Sequence, residues 1–309
     1  MKHTLNAENE NTRLDSFIAD RIPGISRSKV QRLIESGNVL VDGREEKSRY
    51  RISPGQKITV EVPAGEDRII TPQKIPLDII HEDGHILVIN KPAGMVTHPA
   101  ETVRENTLVN ALMGYTDRLS TVNGPLRRGI IHRLDKDTTG VLIIARTNEA
   151  HLNLAKQISA RKVKRIYRAL VMGGVEPEKG EINVPVGRHT TERVKMSVKF
   201  INGREAVTLF EVVEKLRIGD DIFSYLRVSL KTGRTHQIRV HFSSIGHPVC
   251  GDSKYGKKSP LISMTRQALH AEEAGFIHPA SGKSVSFRAP LPDDFRSQLD
   301  ELRRNTTEG

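Results

Sequence analysis

Two carboxylates, Asp135 and Asp137, stand one residue apart in the run 129–146, GIIHRLDKDTTGVLIIAR. Close carboxylates suggest the acid/base pair of a glycoside hydrolase, but that chemistry needs one acid with a raised pKa. Here Arg133 and Lys136 are immediate neighbours, and cations favour the ionised form of both groups. The run therefore offers Asp135 as an anion. Asp137 reads as structural, bonding the backbone of its own turn, which is the ordinary role of an Asp in a charged loop. Three histidines, His132, His236 and His241, raise the question of a metal, yet their spacing matches no known ligand pattern and no metal is expected. The single cysteine, Cys250, has no partner for a disulfide or a thiolate cage and reads as a small core residue.

The elements that must position these residues follow from periodicity. Residues 141–145 are a continuous, β-branched apolar run, which predicts a strand buried on both faces and a rigid base for the polar loop before it. Residues 165–171 alternate Ile166, Arg168 and Leu170 with Tyr167, Ala169 and Val171, so a strand is predicted. Tyr167 shares its face with small or apolar residues, and a core tyrosine is as good a reading as a functional one. In 232–241, TGRTHQIRVH, Thr232-Gly233 reads as a turn into another strand. Its two faces are Ile238, Val240 and Phe242, and Gln237, Arg239 and His241. Taken alone, Arg239 is a solvent-exposed strand residue. Residues 77–81 and 85–90 flank Asp83-Gly84 as a hairpin. Helices are predicted over 107–113 and after Thr147, the latter turning Leu152, Ala155 and Ile158 to the core. Residues 188–196 suit a basic mobile loop, and the tail from Arg303 a frayed end.

Charge points to the partner. The chain of 309 residues carries a formal net charge of +11, which suits a polyanion. Residues 127–168 hold 11 Lys and Arg against 3 Asp and Glu, whereas residues 1–62 hold 11 against 9. The positive field thus gathers around Asp135, as a phosphate-bearing substrate would require. No apolar run reaches membrane-spanning length and no leader-like segment opens the chain, so a cytoplasmic protein without membrane contact is expected.

Residues 12–62 read as a separate small module. Leu14, Phe17, Ile18 and Ile22 fall at helical spacing and Pro23-Gly24 ends them. Ser26 is a good cap for a second helix with Val30, Leu33 and Ile34 on its apolar side and Gly37 as its stop. Arg27 and Lys29 lie in that helix's first turn, where free backbone N–H groups can help hold a phosphate, though harmless surface cations are an equal reading. Strands follow at 39–41 and 58–62. Residues 63–76, rich in proline, form the linker, and residues 77–300 the main domain.

The N-terminal pattern RLDSFIADRIPGISRSKVQRLIESGNVLVDG, followed by SPGQKITV, resembles the small RNA-binding fold named after small-subunit ribosomal protein four. That resemblance implies that Arg27, Lys29 and Arg32 face structured RNA. In the main domain, HRLDKDTTG at 132–140, KPAGMVTHP at 91–99, RIYRALV at 165–171 and GRTHQIRVH at 233–241 are similar, in order and spacing, to the signature segments of the RluA family of pseudouridine synthases. With the N-terminal module, the resemblance is to the RluD-like members that modify large-subunit (23S) ribosomal RNA. Arg128 departs from the proline common before GIIHRLD, and Thr139 from the commoner serine; neither is a catalytic position.

The resemblance implies an α+β fold, with a larger catalytic domain on a mixed, largely antiparallel sheet flanked by helices. It implies isomerisation of uridine to pseudouridine in RNA, with Asp135 as the essential aspartate, Tyr167 its aromatic partner and Arg239 its basic partner. Arg133 would fill the space left by the flipped nucleotide, and Ile238 would contact the substrate. An adjacent guanidinium can hold a carboxylate bidentately and keep it ionised. The reaction moves no electrons or groups between molecules, so no cofactor is expected, and the protein is expected to be a monomer. The alternatives are the same chemistry on transfer RNA, or a non-catalytic RNA-binding ribosome-assembly factor.

Overall fold

Leu14, Phe17 and Ile18 meet Val30, Leu33 and Ile34 in one buried cluster with Val39, Val41, Ile58 and Val60. A computed structural model describes residues 2–8, 11–23, 25, 27–62, 70–99, 103–189, 192 and 195–306. The chain divides into two units between Ile69 and Ile70. In the first, strand β1 (Lys2–Asn6) precedes helices α1 (Leu14–Arg21) and α2 (Arg27–Glu35), then strands β2 (Val39–Val41), β3 (Arg44–Glu45) and β4 (Lys57–Glu61). These strands form a sheet in the order β1-β4-β2-β3. Strand β1 was not visible in the sequence because Leu5 is its only strongly apolar residue. The expected cap Ser26 lies outside the described residues. Gly37 stops α2 as expected, with φ of +72°.

The second unit contains β5 (Ile79–Glu82), β6 (Ile86–Lys91), α3 (Leu108–Tyr115), β7 (Thr139–Ala145), α4 (Asn148–Ser159) and β8 (Lys164–Met172). It continues through β9 (Lys179–Asn183), β10 (Val186–Arg188), β11 (Met196–Val198), β12 (Val207–Ile218), β13 (Asp221–Leu230) and α5 (Gln237–Ser244). It ends with β14 (Leu269–Ile277), β15 (Ser284–Arg288) and α6 (Asp293–Arg304). One mixed sheet runs β5-β6-β7-β14-β8-β13-β12-β9, with β15 added to β14. Every pairing in it is antiparallel except β7 with β14.

Both faces of this sheet are covered, as the apolar run at 141–145 requires. Leu142 and Ile144 join Leu87 and Ile89 in one core cluster, roofed by Phe242 of α5 and Phe295 of α6. Val141 and Ile143 join Ile86, Val88 and Leu154 of α4 in the other. A side-chain period of two between two cores yields a strand with no exposed position. Gly140 permits the parallel contact, because a Cβ there would fall 2.1 Å from the Ala271 carbonyl oxygen.

Three expectations are corrected. Residues 237–244 form helix α5, not a strand. The alternation of Gln237, Arg239 and His241 with Ile238, Val240 and Phe242 mimics a half-exposed strand, yet all six are buried. Each polar member finds a partner: Gln237 at Thr208, Arg239 at Asp252, and His241 at the Val184 carbonyl. Second, Leu152 of α4 is 60% exposed; the buried face is Ala150, His151 and Leu154. Third, residues 70–76 are not a free linker. Ile70 is buried in the core, and the Gln73 amide donates to the Asn110 carbonyl. Residues 63–69, and 190, 191, 193 and 194 of the basic loop, lie outside the described residues. The C-terminal helix holds through Arg304, two residues further than expected, with Arg303 paired to Glu214 at 2.7 Å.

Candidate active site

Asp135 lies in the loop that leads into β7, and its backbone is fastened by side chains from other segments. Thr97 Oγ1 donates to the Leu134 carbonyl at 2.9 Å, and Arg266 Nη1 to the Asp137 carbonyl at 3.2 Å. Lys91, fully buried at the end of β6, donates from Nζ to the carbonyls of Pro92, Met95 and Lys136 at 2.7, 3.0 and 2.9 Å. Burial pushes the Lys91 amine down to about 7, opposed by the charges of Asp137 and Asp135. His132 faces inward beneath the loop. Its Nε2 accepts the Ile143 amide at 3.0 Å, and burial holds the imidazole down at about 3. It is therefore a neutral structural ring.

Asp137 joins this scaffold through its backbone carbonyl. The turn itself is closed by the Thr138 amide donating to the Asp135 carbonyl at 3.2 Å, so the role expected of the Asp137 side chain falls to main-chain groups.

The side chain of Asp135 meets α5. Arg239, in the first turn of that helix, donates from Nη1 to Asp135 Oδ2 at 2.9 Å. Its Nε and Nη2 go instead to Asp252, at 2.6 and 2.9 Å. The bidentate grip expected on Asp135 thus belongs to Asp252. Asp252 Oδ1 also accepts the amides of Lys254 and Tyr255, at 2.9 and 3.2 Å, which fixes it as a buried anion. Hydrogen bonds and the charge from Arg239 outweigh burial and hold the Asp252 carboxyl below its usual range. Arg239 is correspondingly raised above its already high value, despite its burial. One guanidinium bridges two carboxylates, and Asp135 keeps Oδ1 outside that bridge.

Asp135 and Arg239 line a cavity of about 480 Å³, and Asp252 lies behind them. Tyr167, Ile238 and Arg133 line it as well, so three segments far apart in sequence converge there. Tyr167 is 7% exposed, and burial raises its phenol above the usual value; it is at once a core residue and a cavity wall. Six Lys and Arg side chains line the cavity against one carboxylate, Asp135, a field suited to phosphates. His236 lies beside Asp135, with Tyr255 bonded to it from behind; the sequence weighed His236 only as a metal ligand, and no signal marked Tyr255. The three histidines considered for a metal each have a separate partner: the Ile143 amide, Tyr255 and the Val184 carbonyl.

Arg27, Lys29 and Arg32 belong to the first unit. Arg27 donates from Nε and Nη2 to the buried carboxylate of Asp15 at 3.1 and 3.2 Å, alongside Arg13 and Gln31. Its guanidinium is therefore engaged within the fold. That carboxylate is held far below its usual range by Arg13, Gln31 and Arg27 against the cost of burial.

Comparison with known proteins bears on this arrangement. Residues 85–244 match the family model for RNA pseudouridylate synthase, and residues 12–58 that for the S4 domain. The chain is 42% identical to an uncharacterized RNA pseudouridine synthase of Bacillus subtilis, YlyB, over 98% of each chain. It is also 42% identical to ribosomal large subunit pseudouridine synthase D of Nitrosomonas europaea, over 96% of this chain and 89% of that one. The fold is similar to that of human RNA pseudouridylate synthase domain containing 1, with a TM-score of 0.55 at 24% identity, over 78% of this chain and 100% of that one. Among the described residues, no helix is long and apolar enough to cross a membrane.

Proposed function

The chain belongs to the RNA pseudouridylate synthase family, isomerases of uridine in RNA, and from that premise we propose that it modifies large-subunit (23S) ribosomal RNA with Asp135 as the reacting carboxylate. The substrate assignment is supported by the relatives named for the ribosomal large subunit and by the S4 match at residues 12–58. The assignment of Asp135 is carried by one observation: its carboxylate has one oxygen pinned by a buried guanidinium and lines a cavity ringed by cations.

A uridine inside folded RNA must leave its stack to reach such a cavity, at a cost of about a few kcal/mol. The phenol ring of Tyr167 offers a stacking surface in return, and Arg133 at the rim fills the gap left in the helix. Ile238 closes the apolar side. In the reaction the bond from ribose C1′ to uracil N1 breaks, the base rotates, and C1′ bonds to C5. The proton displaced from C5 goes to solvent and N1 gains one, so the product is an isomer of the substrate. Asp135 either attacks C1′ or removes the C2′ proton, and Arg239 holds its Oδ2 in place for both routes. Lys29 and Arg32 of the first unit contact the RNA outside the target site. The protein acts as a cytoplasmic monomer.

The test is tritium release from 5-³H-uridine in ribosomal RNA, with modified positions mapped in cells lacking the protein. Release by wild type, none by Asp135→Asn, and uridines left unmodified in 23S RNA of the deletion strain are expected. Equal release by both proteins overturns the role of Asp135. Unmodified uridines found only in transfer RNA overturn the substrate.

A further inference from the structure

His236 occupies the position before α5 with φ of +55°, and its ring faces Asp135. Its Nδ1 lies 2.8 Å from Tyr255 Oη, and that same oxygen accepts the Met196 amide at 2.8 Å. A phenol has one proton to give. With the amide already donating into the oxygen, His236 Nδ1 is the acceptor that Tyr255 meets among the described residues. The imidazole proton is then on Nε2, which lies 3.9 Å from Asp135 Oδ1, the oxygen outside the Arg239 bridge. The ring is neutral, because burial lowers its pKa against a smaller upward pull from Asp135.

A separation of 3.9 Å is too long for a hydrogen bond. It is short enough for one oxygen to sit roughly 2.8 Å from both ends, the usual distance for such bonds. That oxygen must accept from Nε2–H and donate to Oδ1, as a water does and as a substrate hydroxyl does in its place. Within the reading that the cavity takes a flipped uridine, the hydroxyl nearest the reacting sugar carbons is the ribose 2′-OH. We propose that His236 and Asp135 together grip the ribose 2′-hydroxyl of the target nucleotide, with Tyr255 setting the imidazole tautomer that makes His236 the donor. The grip orients the sugar against the carboxylate and makes the site read RNA in preference to DNA at the target position. His236 is then a substrate-binding residue and Tyr255 a positioning residue.

The test is a cycle between protein and substrate. RNA fragments carrying either uridine or 2′-deoxyuridine at the mapped target are turned over by wild type, His236→Asn and Tyr255→Phe. Asn tolerates the left-handed backbone at this position, and Tyr255→Phe leaves that backbone untouched, so one variant covers the other if either misfolds. Wild type is expected to lose about tenfold or more in kcat/KM on the deoxy target, the loss of a hydrogen-bonded hydroxyl. His236→Asn is expected to be slower on uridine and nearly indifferent to the deoxy change, and Tyr255→Phe to fall between. Intrinsic effects of the missing hydroxyl cancel in the ratio. If wild type is active and both variants keep its full deoxy penalty, the grip is overturned alone. If wild type forms no pseudouridine in any RNA, the reading beneath it falls as well.

Discussion

Arg239 binds Asp252 through two nitrogens and Asp135 through one, so the fork of the guanidinium is fixed by the carboxylate that does not line the cavity. Asp252 has no exposed side-chain surface, while that of Asp135 is 16% exposed. The tighter pair is the buried one, and the looser contact leaves Asp135 able to meet a substrate. Removing Asp252 leaves the buried Arg239 with one carboxylate in place of two, a loss of up to about 3–5 kcal/mol. Asp252→Ala should lower stability by that order in urea unfolding, and turnover should fall as Arg239 drifts from Asp135. Unchanged kcat in a folded Asp252→Ala protein would show that Arg239 is positioned by other groups.

The pH dependence of that pair has a definite sign. Asp252 is depressed in the folded state, so its stabilisation is full above the unfolded carboxylate value of about 4 and is lost as pH falls through the folded value. Acid unfolding of wild type and Asp252→Asn should converge toward low pH. A gap that does not narrow as pH falls below about 4 would contradict the linkage.

Lys91 carries the opposite sign. Its folded value of about 7 lies below the ordinary lysine value near 10.5, so the unfolded chain binds more protons between them and stability rises with pH across that window. Lys91→Met should remove this slope. At pH 6, where the amine is protonated, the loss of its hydrogen bonds to three carbonyls should also destabilise the protein by about 2–4 kcal/mol. Denaturant midpoints of both proteins from pH 6 to 10 measure the two effects together.

Tyr167 is predicted to act through its ring face. Tyr167→Ala should cost about 1–3 kcal/mol in kcat/KM, the worth of one base stacked on an aromatic ring. Tyr167→Phe should retain most of the affinity for RNA, and a Phe variant that binds as poorly as Ala would assign binding to the hydroxyl.

In the first unit, Arg27 is tied to Asp15 at a half-exposed position. Arg27→Ala should therefore cost less than about 1 kcal/mol of stability. Lys29→Ala and Arg32→Ala should weaken RNA binding across sequences, each lowering the salt slope by about one. Filter binding at several salt concentrations separates the two kinds of effect.

The loop of Asp135 and the strand behind it were legible because their signals are local. Asp135 stands between glycines before a continuous apolar run, and a strand flanked by two cores is the fold's direct answer to that run. Helix α5 was not legible, since buried polar residues with distant partners produced the alternation of a strand. Tyr167 lay between two readings; it is buried, as the core reading has it, and it also lies on the cavity wall.

By itself the order of residues determined the chemistry on offer: an anion among cations, an aromatic ring on a strand, an arginine in a dense polar segment, and a separate small module before them. Only the tertiary structure decided how those groups are shared. It handed two of the Arg239 nitrogens to Asp252, set Lys91 beneath the loop, and turned His236 toward the free oxygen of Asp135. Those choices rest on contacts between segments 13, 45 and 101 residues apart. Their geometry follows from packing both faces of one sheet, which no local pattern encodes.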